Sequence, residues 1–253
     1  MSRKPRESVN SSVDLSHEVR AVADGLGSSI STRDLIILAS IDQMIETGPV
    51  DFNSGTVCDL LNLKHPMINY YFGSRDGLIT EATIWAYRNW SNRVLTAARN
   101  APKNGEARLR AYLETNLEWC RNMKAMTVLS QYPVLSQAVK SLVDEGYSIE
   151  LQKDFEYHLV FLATLIIDIR SGKNSELDFD QTNYPKGKYM LTHPRELLDA
   201  ASIAWAGHGV NMWISGSHTP TRNLRKEFTA KISEDLAIRA HIENIIAIAR
   251  GRK

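Results

Sequence analysis

FNSGTVCDLLNLKHPMINYYFGSRDGL, residues 52–78, reads as two short helices around a tight turn, followed by the start of a third. Asn53 or Ser54 can accept a hydrogen bond from the free amides of a helix start, and Val57 and Leu61 then fall one turn apart on one face. Asn62 tolerates a left-handed backbone, so Asn62-Leu63-Lys64 ends the first helix and reverses the chain while Leu63 plugs the core. Pro66 has no amide proton and a fixed φ, which suits the first position of the second helix and pushes His65 out of the helical region into a cap conformation. Ile68 and Phe72, four apart, are expected in the core. His65, Met67, Asn69 and Tyr70 are left on the outer side.

A helix that shows such residues at its N-terminal end suits the major groove of DNA. The order Ile37-Leu38-Ala39, Gly48, Val57-Cys58, Leu63 and then the unbroken run from Ile68 to Leu78 resembles the DNA-binding domain of TetR-family transcriptional regulators. The last run is the most specific part, and the resemblance covers roughly residues 31–90. It implies an all-α chain with a three-helix helix-turn-helix DNA-binding domain over 31–78 and a larger helical ligand-binding and dimerisation domain over 79–253, while residues 1–30, rich in serine and polar residues, read as a flexible arm, disordered or weakly helical. The implied DNA contacts are Ser54, Lys64, His65, Pro66, Met67, Asn69, Tyr70, Tyr71 and Arg75. The chain departs from the family pattern at Lys64, where serine or threonine is usual, at Tyr71, where histidine is common, and at Gly55, which has no side chain to reach DNA.

Within that set, Asn69 can make a bidentate adenine contact or merely cap and solvate the helix. Tyr70 and Tyr71 can reach phosphates through their hydroxyls. Charge argues the other way. The net charge is +1, and residues 31–90 hold Arg33, Lys64, Arg75 and Arg88 against Asp34, Asp42, Glu46, Asp51, Asp59, Asp76 and Glu81. Because phosphate contacts dominate DNA affinity, the few cations must sit at the interface, be doubled by dimerisation, or come from the arm, where Arg3, Lys4 and Arg6 cluster. The arm is either a DNA-tracking segment or a solvated tail.

The 253 residues, 43% of them hydrophobic, suffice for one small and one larger core. No apolar run approaches the roughly 20 residues of a membrane span and no signal-type segment opens the chain, so a cytoplasmic protein without membrane contact is expected. Cys58 and Cys120 lie far apart inside helical patterns and read as buried thiols. Neither a metal site nor a cofactor motif is present: there is no Walker loop, HExxH, GxSxG or paired-cysteine spacing, so an enzyme is not expected.

Along the chain, Ser31 and Asp34 have capping-box spacing before a bracing helix that carries Leu35, Leu38, Ile41, Met44 and Ile45 and stops at Gly48-Pro49. Ser74 caps a helix running toward Arg99, which in the family links the two domains. Residues 100–106 read as a loop, and residues 107–126, 133–145 and 150–170 as helices. Residues 171–188 lack a sustained period and read as a mobile insertion. Two further helices follow, over residues 193–215 and 221–250. Ala200, Ala201, Ala204, Ala206, Gly207 and Gly209 allow close helix approach, either inside the chain or in the homodimer that the resemblance places on these last two helices. His158 and His208 sit on apolar faces and read as satisfied core histidines. Trp85, Tyr112, Trp119, Phe155, Trp205 and Trp213 read as core rather than cavity lining.

The functional expectation is a ligand-responsive repressor that binds a double-stranded operator as a homodimer and is released by a small-molecule effector. A helical module whose helix-turn-helix contacts protein is the alternative.

Overall fold

The computed structural model describes residues 30–49, 51–124, 126–127, 145–177, 179–180, 182–185, 192–214 and 234–251. Within the helices, the side chains of 145–152, 205–206, 208–210, 212–214 and 234–235 are not among them. The arm, the helix expected over 133–145, the start of the last helix and the side chains of Trp205, His208 and Trp213 therefore lie outside the described residues. The described elements are α1 (Thr32–Thr47), α2 (Ser54–Leu60), α3 (Pro66–Phe72), α4 (Arg75–Asn100), α5 (Gly105–Met123), α6 (Glu145–Ser171), α7 (Pro194–Ile214) and α8 (Glu234–Arg250). The protein is all-helical among the described residues, and no described helix is long and apolar enough to cross a membrane. The chain divides into two compact units, Met1–Ala86 and Tyr87–Lys253.

In the first unit, the Ser31 hydroxyl accepts from the Asp34 amide at 3.1 Å, so the expected cap is present, and Gly48 ends α1 at φ 78. α1 is buried around most of its girth, with residues 35–41 all inside, which is how an element wrapped by its neighbours reads. Asn53, not Ser54, caps α2: its side chain accepts from the Gly55 amide at 2.9 Å. At the other end Asn62 has φ 53. The Leu63 amide donates to the Cys58 carbonyl and the Asn62 amide to that of Asp59, the paired bonds of a Schellman ending. Val57, Cys58, Leu61 and Ile68 are buried as expected, and both cysteines are free thiols with no exposure.

In the second unit α5, α6, α7 and α8 each pack against the other three. α5 begins two residues earlier than the periodicity suggested, because Asn104 caps it by accepting from the amides of Glu106 and Ala107. Gly105 lets that end approach α6 closely: a Cβ there would stand 2.9 Å from the Leu165 carbonyl oxygen. Arg170 joins three helices, donating to Glu196 and Asp199 of α7 and to the Ala249 carbonyl at the end of α8.

The segment after α6, expected to be mobile, is docked over its described residues. Arg99 donates to the Leu177 and Phe179 carbonyls, Arg108 donates to the Ser175 carbonyl at 2.6 Å, and Asp168 accepts from the Ser175 amide and hydroxyl. Leu177 and Tyr184 are buried and Phe179 packs against the same core. A docked loop needs anchors rather than a period, which is why alternation and helical spacing were both missing.

Candidate functional site

The outer face of α3 and the turn before it is built as expected, with three differences. Lys64, His65, Pro66, Asn69 and Tyr70 are exposed, Tyr70 to 78%, while Ser54, Met67 and Tyr71 are half-buried. The Tyr70 and Tyr71 rings meet edge to face at 4.9 Å, which limits the freedom of two otherwise loose side chains.

The first difference is His65, which is not in an extended cap conformation but helical, at φ −48 and ψ −38. The Met67 amide donates to the Lys64 carbonyl and the Ile68 amide to that of His65, and these bonds require a helical turn, offsetting the crowding by Pro66. The His65 ring then lies against α2, where a Cβ on Gly55 would come within 3.0 Å of its Cε1. The missing side chain at Gly55 is thus room for His65.

The second is Phe72, which is half-buried rather than core, with the Arg33 guanidinium 5.2 Å over its ring. It sits at the rim because α3 ends there.

The third is Arg75. Its guanidinium donates to the Phe52 carbonyl through Nε and Nη2 and to the Pro49 carbonyl through Nη2, and it lies 5.7 Å over the Phe52 ring. Arg33 also pairs with Glu81 at 2.9 Å. Two of the basic residues counted toward DNA are therefore engaged in holding the first unit together, while Lys64 stands exposed in the turn.

The run from Phe72 to Leu78 has a local explanation. Gly73 ends α3 at φ 74, where a side chain is strained, and its amide donates to the Asn69 carbonyl. The Ser74 hydroxyl accepts from the Gly77 amide at 3.0 Å, and the Ser74 carbonyl accepts from Leu78. A Cβ on Gly77 would lie 2.1 Å from the Phe72 carbonyl oxygen, so α3 and α4 join this tightly only because that position is glycine.

The second unit holds a cavity of about 620 Å³, inside the 300–1,000 Å³ range of small-molecule sites. Tyr112, expected as core, is buried in the core and lines the cavity as well, while Phe155, also expected as core, is half-buried and lines it together with Trp90. On the α7 side the small residues Ala201, Ala204 and Gly207 line it too, and a Cβ on Gly207 would touch nothing within 4 Å. His158 is a satisfied core histidine, as expected, and a lining residue at once. Its Nε2 pairs with the Ser91 hydroxyl at 2.8 Å, its Nδ1 with the Tyr112 hydroxyl at 2.9 Å, and its ring stacks on Trp90 at 4.6 Å. Burial, helped by the Arg99 charge, lowers its pKa to about 3, so it is neutral at pH 7.

Sequence reasoning assigned no cavity residue. Asn116 lay within reach: it interrupts the apolar stripe of α5 between Leu113 and Leu117, accepts from the Trp90 indole at 3.0 Å and donates to Asn211 at 2.8 Å. Tyr87 carried no such signal. It is 3% exposed, and its hydroxyl has no hydrogen-bond partner among the described residues.

No family profile matches the chain, and no curated protein matches it. Solved structures do. A TetR-like transcriptional regulator from Rhodococcus sp. RHA1 superposes with a TM-score of 0.58 at 15% identity, covering 89% of this chain and 100% of that one. A protein of Pseudomonas aeruginosa PAO1 provisionally described as a transcriptional regulator gives 0.56 at 15% identity, over 87% of this chain and 88% of its own. The protein has the TetR-like regulator fold.

Proposed function

We propose that this chain is a DNA-binding transcription regulator, a repressor that grips a pseudo-palindromic operator as a homodimer and lets go when a small molecule fills the cavity of its second unit. The observation that carries the reading is the outer face of α3, where Asn69 and Tyr70 stand exposed beside Lys64 and His65 on a helix anchored by buried Ile68. The fold agrees with it, and the dimer is assigned to α7 and α8. With Arg33 and Arg75 engaged in the fold, phosphate affinity falls to Lys64, to the hydroxyls of Tyr70 and Tyr71, and to the arm with Arg3, Lys4 and Arg6. The same scarcity of cations favours a second reading, in which α3 docks on a protein.

Footprinting on DNA beside the gene, repeated across salt concentrations, separates the two. Asn69→Ala is expected to weaken specific binding by roughly 1 to 3 kcal/mol and to relax the preference at one base per half-site, with the salt slope unchanged. An unaltered base preference would remove Asn69 from the reading set. Control obeys linkage: operator DNA should weaken effector binding by the same factor, roughly 5- to 150-fold, by which effector weakens DNA binding. Equal effector affinities with and without operator would leave a constitutive DNA-binding protein.

A further inference from the structure

We infer that the cavity of the second unit takes an uncharged, mainly apolar small molecule that presents a hydrogen-bond acceptor, a carbonyl or ether oxygen, to the Tyr87 hydroxyl. The inference rests on the proposal above only in treating this cavity as the effector site.

Among the described residues, no lysine, arginine, aspartate or glutamate lines the cavity. Its histidine at position 158 is neutral and has both ring nitrogens paired, and the Asn116 amide is taken up by Trp90 and Asn211. These paired groups make no demand on a ligand, and His241, the second lining histidine among the described residues, is held toward its neutral form by burial.

Tyr87 is different. A buried hydroxyl with no partner is rare in native structures, and this one belongs to a side chain that lines a cavity large enough for a ligand. Burial, then the nearby Asp154 carboxylate, push its phenol well above the ordinary range, so it keeps its proton and acts as a donor. The buried Asp154 carboxylate that raises the Tyr87 phenol also disfavours a second anion beside that hydroxyl. A cation would find aromatic faces at Trp90, Tyr112 and Phe155 but, among the described residues, no lining carboxylate to offset its lost hydration.

The test is a titration of the full chain, without DNA, by calorimetry or tryptophan fluorescence. The probes form a matched series: benzophenone, its oxygen-free analogue diphenylmethane, 4-benzoylbenzoate and (4-benzoylbenzyl)trimethylammonium. Benzophenone is expected to bind about five- to tenfold more tightly than diphenylmethane, the worth of one hydrogen bond, and at least tenfold more tightly than either ion. Tyr87→Phe should bring the ketone-to-hydrocarbon ratio to about one while leaving diphenylmethane affinity in place. Gly207→Phe, at a lining position where an added Cβ meets nothing within 4 Å, should abolish binding of both.

Binding of the carboxylate or the ammonium as tight as that of the ketone would overturn the inference. So would an unchanged ratio in Tyr87→Phe, or no binding by any of the four. Because no DNA is present, a chain that never engages an operator gives the same titrations, so failure of the regulatory proposal is read separately.

Discussion

Gly77→Ala is expected to destabilise the first unit by about 3 kcal/mol and to abolish operator binding with it, an overpacking cost at the upper end of the usual range. The new methyl group would stand 2.1 Å from the carbonyl oxygen of Phe72 and 3.2 Å from its carbon. Both are backbone atoms at the end of α3, so no side chain can rotate away and the junction with α4 has to open. Gly73→Ala is the control, since its Cβ meets nothing within 4 Å and the cost is that of a left-handed backbone alone, about 1 to 2 kcal/mol. Urea unfolding of both variants, followed through the amides of α1 and α2, gives the comparison. A Gly77→Ala protein within roughly 0.5 kcal/mol of the parent, the range of a neutral surface change, would mean that the junction is soft.

Acid is expected to produce an effect of similar size in the second unit. The folded His158 pKa of about 3 lies below the roughly 6.5 of an unfolded histidine, so the unfolded chain takes up the proton first. The stability from this group is complete above the unfolded value and is lost as pH falls toward the folded one, at about 1.4 kcal/mol per pH unit. Between pH 6.5 and pH 5 that amounts to about 2 kcal/mol. His241, lowered by burial, adds in the same direction. Glu176, held low by Lys103, and Asp180, held low by Thr182, have depressed pKa values and lose their contributions only as pH falls below the ordinary carboxylate range, so the window isolates the histidines. Denaturation midpoints of the parent and of His158→Gln, at the two pH values, test it. A slope that survives in His158→Gln would place the titrating group elsewhere.

The helix-turn-helix was legible because its signals are local. A cap at Ser31, a left-handed Asn62, a proline opening α3 and the Phe72-Gly73-Ser74 ending each report a backbone conformation within a few residues. What the sequence could not report was what those side chains reach. Arg75 reads as a surface cation until the Pro49 and Phe52 carbonyls, 26 and 23 residues away, are seen beneath it. Leu177, Phe179 and Tyr184 read as scattered apolar residues in a polar run until Arg99 and Arg108 are seen fastening that run down. The cavity was invisible for a related reason. Tyr112 and Phe155 fit an apolar stripe whether the space before them is filled or empty, and the polar residues in those stripes, Asn116 and His158, were the marks of a difference.

The clasp at Arg170 bears on how the protein is made. Its acceptors on α7 emerge from the ribosome soon after it, but its acceptor at Ala249 follows by 79 residues. At roughly 5 to 20 residues per second that is a delay of roughly 4 to 16 s. Until then Ile242, Ile245 and Ile246, which complete the core, have not joined it, and the apolar faces of α5 and α6 stay uncovered. The two carboxylates of Glu196 and Asp199 hold the guanidinium in the meantime, so the nascent second unit carries bare hydrocarbon rather than an unpaired charge. In chain order the hydrocarbon of α5 and α6 is thus the last part of the core to be covered, when α8 arrives.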